Sequence, residues 1–267
     1  MKKNLTGKVA VISGGASGIG LAIAKRLKKE DVKIYDISLN ASEEEIFEKS
    51  FECDITDDEK LQKVLDEIVE KEKQIDFLFC NAGIGIGGLV ENASLNAIDK
   101  IMNVNLTSQI KMTKLFLPYI RKGGKILYTG SLASIIPLPY QACYSASKAG
   151  IEIFGRALAT EVRARKIKVT TFMPCDVNTN FTSSRMKETG SDKAEQRGIK
   201  KMEKSEHNGE TADYVAKKVL KVVKKKKPPL RKYIGMVFPG ATSGFIAFLV
   251  KILPVKWVNF LVRHLYI

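Results

Sequence analysis

Residues 8–20 read Lys8-Val9-Ala10-Val11-Ile12-Ser13-Gly14-Gly15-Ala16-Ser17-Gly18-Ile19-Gly20. The first six make a short, largely β-branched apolar run suited to a buried strand, and the glycines that follow suit a sharp turn. Leu21 to Lys29 then has the composition of a helix. Strand, glycine turn and helix in this order open a parallel sheet, and the remainder of the chain repeats the alternation.

Lys33 to Asp36 reads as a second strand and Glu52 to Ile55 as a third. Asp58 to Lys73 places Leu61, Val64, Leu65, Ile68 and Val69 on one helical face, with Asp57 or Thr56 as its cap. Ile75 to Cys80 (IDFLFC) is nearly all apolar, as a parallel strand covered on both faces must be, and Lys125 to Thr129 and Lys168 to Phe172 repeat the type. Helical stretches at Ile98 to Ile120 and Tyr144 to Arg165 lie between them. The pattern predicts an α/β fold, a doubly wound parallel sheet of Rossmann type. It forms one domain over residues 1–240, with an apolar C-terminal helical extension over 241–267. Between Asp36 and Asp54 the chain is short and acidic, so an irregular loop is expected in place of a crossover helix. From Pro174 to Asn208 periodicity dissolves, which predicts a long mobile connection placed, after a strand's carboxyl end, to act as a lid.

A chain of 267 residues with 45% hydrophobic and 27% charged residues has enough apolar material for one α/β core, and wholesale disorder is excluded. The net charge of +15 would suggest nucleic acid, but its distribution argues otherwise. Residues 215–267 hold twelve Lys and Arg and no acid, leaving about +3 for everything before them. No nucleic-acid partner is expected. Cys53, Cys80, Cys143 and Cys175 form no C-x-x-C pair and have no neighbouring His, so no metal is expected. The basic start lacks an apolar signal core, which points to a cytoplasmic protein.

Gly14, Gly18 and Gly20 stand where a missing side chain lets backbone approach a pyrophosphate at a helix N-terminus. Alone, the turn has a bland alternative, a tight bend without a ligand. Asp36, 22 residues after Gly14, ends the second strand where a carboxylate could accept from adenosine ribose hydroxyls; its bland alternative is a solvated acid. No Arg or Lys follows in Asp36-Ile37-Ser38-Leu39-Asn40 to neutralise a 2′-phosphate, so NAD is expected rather than NADP.

Tyr144-Ser145-Ala146-Ser147-Lys148 sets a phenol and an ammonium four residues apart, on one face of a helix. Elsewhere that is a common surface pair. Downstream of a dinucleotide turn it suggests proton transfer, because a cation beside a phenol favours the phenolate.

Together these segments resemble the short-chain dehydrogenase/reductase family from about residue 6 to residue 180. Ser13 to Gly20 is similar to its TGxxxGIG turn, Cys80-Asn81-Ala82-Gly83 to its NNAG segment, Asn103-Val104-Asn105 to the segment bearing its asparagine, and Tyr144 with Lys148 to YxxxK. Ser131, thirteen residues before Tyr144, matches the catalytic serine. The resemblance implies a catalytic set of Asn105, Ser131, Tyr144 and Lys148. Tyr144 would exchange the proton, Ser131 bond the substrate oxygen, Asn105 hold a relay water, and Lys148 bind the nicotinamide ribose and lower the tyrosine pKa. It implies cofactor contacts from Gly14, Ser17, Gly18, Ile19, Gly20, Asp36, Asp54, Ile55, Asn81, Ala82, Gly83, Tyr144, Lys148, Pro174, Val177 and Thr179, with Asp54 at the adenine and Thr179 at the carboxamide. It also implies a homodimer or homotetramer built on the Tyr144 helix and its neighbour. Cys175 departs from the family, standing where a glycine is usual, and so loses easy access to positive φ.

The implied reaction is interconversion of a secondary alcohol and a ketone by hydride transfer with a nicotinamide cofactor. The rival reading is a catalytically idle NAD(H)-binding sensor or scaffold held to a membrane by its tail. That tail begins after Pro228-Pro229; Arg231 to Val237 falls where the last strand belongs, and Phe245 to Leu253 and Lys256 to Tyr266 read as two helices broken at Pro254. Three readings stay open: a pocket cover or subunit contact, peripheral membrane contact at the inner face of a membrane, and a spanning helix. An apolar tail beside a pocket suggests a hydrophobic substrate, steroid-like, bile-acid-like or lipid-like.

Overall fold

Strand β1 (Val9–Ser13) is buried at every position, which is why it carries no charge. Around it the computed structural model, which describes residues 4–238 and 241–266, sets β2 (Lys33–Ser38), β3 (Lys49–Glu52), β4 (Ile75–Cys80), β5 (Ile120–Thr129), β6 (Lys168–Pro174) and β7 (Arg231–Ile234). The seven strands form one sheet in the order β7-β6-β5-β4-β1-β2-β3, every neighbouring pair parallel. The order reverses between β1 and β4. Such a switch point leaves a crevice at the carboxyl ends of the strands, where α/β sheets hold ligands.

Helices α1 (Gly18–Lys28), α2 (Asp58–Glu72), α3 (Leu95–Met102), α4 (Ser108–Phe116) and α5 (Ala142–Glu161) make the crossovers, with α6 (Lys193–His207) and α7 (Ala212–Lys224) before β7. One face of the sheet packs Val11, Tyr35 and Leu78 against α2, α4 and α5 through Leu61, Phe116 and Ile151. The other packs Ala10, Ile12 and Ile34 against α1 and α7 through Ile23, Leu27, Val215 and Val219. Alternation along β1 thus feeds two cores. The capping of α2 falls to Asp57, whose carboxylate accepts from the Lys60 N–H at 3.0 Å.

Several boundaries differ from the sequence reading. Strand β2 runs two residues past Asp36, and β3 is Lys49–Glu52 rather than Glu52–Ile55. An edge strand of composition KSFE shows no apolar run because only Phe51 faces a core. The loop expected between β2 and β3 is present, with no helix. The expected helix from Ile98 to Ile120 is α3, a π-turn over Asn103–Thr107, and α4.

The segment after β6 is corrected more substantially. In place of a structureless connection it contains α6, a 15-residue helix whose N-terminus is capped by the Asp192 carboxylate through the N–H groups of Ala194 and Glu195. Its buried face consists of Glu195, Gly198, Ile199 and Met202, and Glu195 accepts from the N–H groups of Leu89 and Gly190. A helix anchored by a carboxylate lacks the apolar stripe that reveals helices in sequence.

After β7 the chain forms a short antiparallel ladder between Met236–Phe238 and Ala241–Thr242. It then continues into α8 (Ser243–Ile252) and α9 (Val255–Tyr266), parted at Pro254 as expected. The anticipated boundary at residue 240 lies outside the described residues. Val258 and Val262 of α9 and Ile246, Val250 and Leu253 around α8 pack on Leu132 and Ile136, so both helices lie against the loop that follows β5. Among the described residues no helix is long and apolar enough to cross a membrane, which removes the spanning reading for them.

Candidate active site

The glycine turn sits at the switch point. Gly14 has φ +70°, and a Cβ there would meet the Ala82 backbone at 3.0 Å; Gly18 has φ +52° and faces Thr179. Both positions exclude side chains by conformation. The Ser13 hydroxyl accepts from the N–H groups of Asn81 and Ala82 at 3.0 and 3.1 Å. The Asn81 amide in turn donates to the Gly14 carbonyl at 3.1 Å and accepts from the Thr129 hydroxyl at 2.8 Å. The ends of β1, β4 and β5 are therefore laced into one rim. Ser13 serves where the family has threonine, because only its hydroxyl is used.

Asp36 is placed differently from the expectation. It is fully buried, with Oδ1 accepting from the Gly15 N–H (2.7 Å) and the Ser38 hydroxyl (2.7 Å), and Oδ2 from the Ser50 hydroxyl (2.6 Å). Burial raises its pKa above the ordinary carboxylate value, and the hydroxyl and N–H donors pull it back down. Its carboxylate braces the glycine turn from behind; at this point the cleft is lined by Ser38, Leu39 and Asn40. The direct ribose contact expected from Asp36 is corrected accordingly.

Helix α5 carries Tyr144 and Lys148 one turn apart. The Lys148 ammonium, nearly fully buried, donates to the Thr129 carbonyl at 3.0 Å and lies 5.7 Å from the centre of the Tyr144 ring. Burial pushes the Lys148 pKa down to about 8. Burial likewise pushes Tyr144 up to about 12, opposed by a hydrogen bond with Ser131, raised further by Glu206 and lowered by Arg185. Desolvation outweighs the Ser131 hydrogen bond and the Arg185 charge, so the expected lowering of the phenol below its ordinary value is corrected to a rise.

Asn105 lies in the π-turn, 1% exposed. Its Oδ1 accepts from the Ile84 N–H at 2.8 Å, while Nδ2 donates to the Ile84 carbonyl at 2.9 Å and to Ser147 Oγ at 3.1 Å. A single inserted residue in a helix re-aims side chains, and here it turns Asn105 onto the loop after β4 that carries Gly83 and Ile84. A Cβ on Gly83 would lie 3.1 Å from Asn105 Oδ1 and 3.2 Å from Lys148 Nζ, so the three positions converge.

A cleft of about 1210 Å³ runs along this rim. Of the residues the sequence singled out, Gly14, Ser17, Gly18, Ile19, Asp54, Ile55, Asn81, Ala82, Gly83, Ser131, Tyr144, Lys148, Pro174, Val177 and Thr179 line it. Gly20, Asp36 and Asn105 stand behind the wall. Gly20 is required for packing, since a Cβ there would overlap the Gly14 carbonyl. Cys175, feared as a conformational departure, is not among the non-glycine residues with left-handed backbone, and its N–H bonds the Ile234 carbonyl at 2.9 Å.

Other contributors were missed. Ser147 donates to the Tyr144 carbonyl at 2.7 Å and supports Asn105; Gln109 donates to the Ala82 carbonyl at 2.8 Å. Arg185, with a side chain 1% exposed, pairs with Glu206, which lines the cleft, and stacks 5.9 Å from the Phe181 ring. Arg185 and Glu206 had no signal because they come from the stretch that lacked periodicity. The far wall is Ile246, Leu249, Val250 and Leu253 from α8 and the Pro254 link, with Val258 and Val262 from α9.

A side-chain-free cradle at the switch point, continuous with a serine, tyrosine and lysine around one apolar chamber, defines a nicotinamide-dependent oxidoreductase acting on an alcohol or ketone. Residues 8–190 match the family model for short chain dehydrogenase. The chain is 34% identical over 236 residues to a 3-ketodihydrosphingosine reductase of Bacteroides thetaiotaomicron, covering 85% of this chain and 88% of that protein. In fold it is similar to a short-chain dehydrogenase/reductase of Burkholderia phymatum in complex with NAD (TM-score 0.76, 21% identity, covering 86% and 90% of the two chains). It is also similar to a short-chain dehydrogenase of Burkholderia cenocepacia in complex with NADP (TM-score 0.69, 26% identity, 84% and 93%). The chain belongs to the short-chain dehydrogenase family.

Proposed function

We propose that the protein reduces a long-chain, lipid-like ketone to the secondary alcohol, with NAD(H) preferred over NADP(H). The observation that carries this reading is the cleft itself: Tyr144 and Ser131 open into a chamber whose far wall is aliphatic, from Ile246, Leu249, Val250 and Val258. Asp176 and Glu206 add carboxylates to the same chamber, which suits a chain whose polar head carries a donor or cation beside the carbonyl. The Bacteroides relative, named for a long-chain keto compound, supports this class over steroid-like or bile-acid-like ketones.

The cofactor would lie along Gly14, Ser17, Gly18 and Ile19, with the N-terminus of α1 facing its pyrophosphate, Asp54 and Ile55 at the adenine, Asn81 to Gly83 and Lys148 at the nicotinamide ribose, and Pro174, Val177 and Thr179 at the carboxamide. When bound, it supplies the hydride. Ser131 holds the carbonyl oxygen, and Tyr144, protonated at neutral pH, gives that oxygen its proton. Lys148 steadies the phenolate left behind. Preference for NAD(H) rests on the wall at the end of β2: Ser38, Leu39, Asn40, Ala41 and Ser42 include no cation, and the Asp36 carboxylate lies behind them. A homodimer or homotetramer would use the outer face of α5, where Ile153 is exposed.

The test is an NADH fluorescence titration followed by turnover assays on long-chain 3-keto lipids, steroid, bile-acid and retinoid ketones. Turnover confined to the long-chain ketones is expected. Tight NADH binding without turnover of any ketone would replace this reading with the idle sensor.

A further inference from the structure

Helices α8 and α9 are apolar on two sides, and only one side is covered. Inward, Val250, Val258 and Val262 close the cleft. Outward stand Phe245, Phe248 and Ile252 on α8 and Trp257 and Phe260 on α9, each more than half exposed, with Val255 at 73%. Of the thirteen exposed large apolar side chains among the described residues, seven fall between Phe245 and Leu261, so the exposure is concentrated on these two helices rather than scattered. Exposed apolar residues scattered singly need no explanation, but a contiguous patch marks an interaction surface.

The charges around the patch identify what covers it. Lys251, Lys256 and Arg263 are exposed on the same two helices and make no ion pair among the described residues. No acid occurs anywhere from residue 215 to residue 267. A second copy seated face to face would bring these cations against their own equivalents with no carboxylate to meet them. An anionic bilayer satisfies both features, taking the rings among its acyl chains and the cations at its head groups.

We infer that helices α8 and α9 dock the protein peripherally on an anionic lipid surface, with Phe245, Phe248, Trp257 and Phe260 inserted and Lys251, Lys256 and Arg263 at the phosphates. Leu261 is 46% exposed and also lines the cleft, so docking sets the mouth of the cleft against the lipid. Delivery of substrate from the bilayer through that mouth rests on the lipid-like ketone proposed above; docking itself does not.

Trp257 is the only tryptophan, so its fluorescence reports on α9 without labelling. The full chain is mixed with phosphatidylcholine vesicles with and without phosphatidylglycerol, in the absence of substrate, and binding is read by co-flotation and by the Trp257 emission maximum. Binding to the anionic vesicles, a blue shift, and weakening by added salt are expected. Lys251→Glu with Lys256→Glu lowers partitioning roughly tenfold or more, and Phe248→Ser with Phe260→Ser removes the binding. Turnover of a short, water-soluble ketone persists in both variants, because none of these four residues lines the cleft, which separates loss of docking from loss of folding. Unshifted emission without flotation overturns the inference. So does a dimer in light scattering that Phe248→Ser with Phe260→Ser dissociates, which would assign the face to a second copy. Flotation that survives those substitutions but is lost when Lys225, Lys226 and Lys227 are neutralised would also overturn it, placing attraction in the basic run instead. If docking holds and long-chain ketones are not reduced, only the substrate reading fails.

Discussion

Oδ1 of Asp36 accepts the backbone N–H of Gly15 at 2.7 Å, tying the second strand to the turn that would carry the pyrophosphate. Asp36→Ala leaves that N–H and the Ser38 and Ser50 hydroxyls without their acceptor. A loss of roughly 1–3 kcal/mol in a denaturant titration is expected. Asp36→Asn keeps the shape and removes the charge. The ratio of kcat/KM for NADH to that for NADPH should then fall, and an unchanged ratio would mean that the carboxylate's field does not reach the ribose.

Tyr144→Phe removes the proton donor and keeps the ring packed beside Phe181, 5.9 Å away. Ketone reduction should drop by about two to four orders of magnitude in kcat. NADH affinity, read by fluorescence titration, should stay near the parent value. A variant that retained most of its turnover would remove Tyr144 from the proton-transfer step.

Lys148 carries the pH dependence. Burial depresses its pKa to about 8 from an ordinary 10.5, so the charged form is costly in the folded state below about pH 8 and the amine is neutral above it. If the ammonium steadies the phenolate, kcat/KM for reduction falls as pH rises through about 8, a limb that disappears in Lys148→Arg. The stability sign runs the other way. Unfolding frees the lysine to protonate at its ordinary pKa, so Lys148→Met should raise the melting temperature at neutral pH while abolishing activity. A lower melting temperature would show that the bond to the Thr129 carbonyl outweighs desolvation.

The Arg185–Glu206 pair is buried beside Tyr144, with side chains 1% and 13% exposed. Glu206→Gln leaves a guanidinium without its counter-charge, and a destabilisation of roughly 3 kcal/mol is expected in denaturant melts. Glu206 raises the Tyr144 pKa and Arg185 lowers it, so the same substitution should move the phenol's ionisation to lower pH. Ultraviolet difference titration at the phenolate band checks the direction, with Tyr144→Phe as the blank.

The sequence by itself determined the sheet and most of the residues that line the candidate site, for a local reason. Strands such as Ile75–Cys80 are buried on both faces and must be apolar throughout, so they are visible without their neighbours. The glycine turn and the Tyr144–Lys148 pair are likewise set by geometry within a few residues. What the sequence left open depends on partners distant in the chain. Asp36 looked like a ligand contact because its bonds to Gly15 and Ser50 come from two other segments. Helix α6 was hidden because its inward face is held by Glu195, whose partners Leu89 and Asn92 lie about a hundred positions earlier. The two apolar tail helices were legible as helices, but which of their faces closes the cleft and which meets the outside was decided only by packing on Leu132 and Ile136. Local conformation follows from local steric and solvation preferences; the choice of which polar groups are satisfied inside, and which apolar face is covered, is made only when distant segments meet.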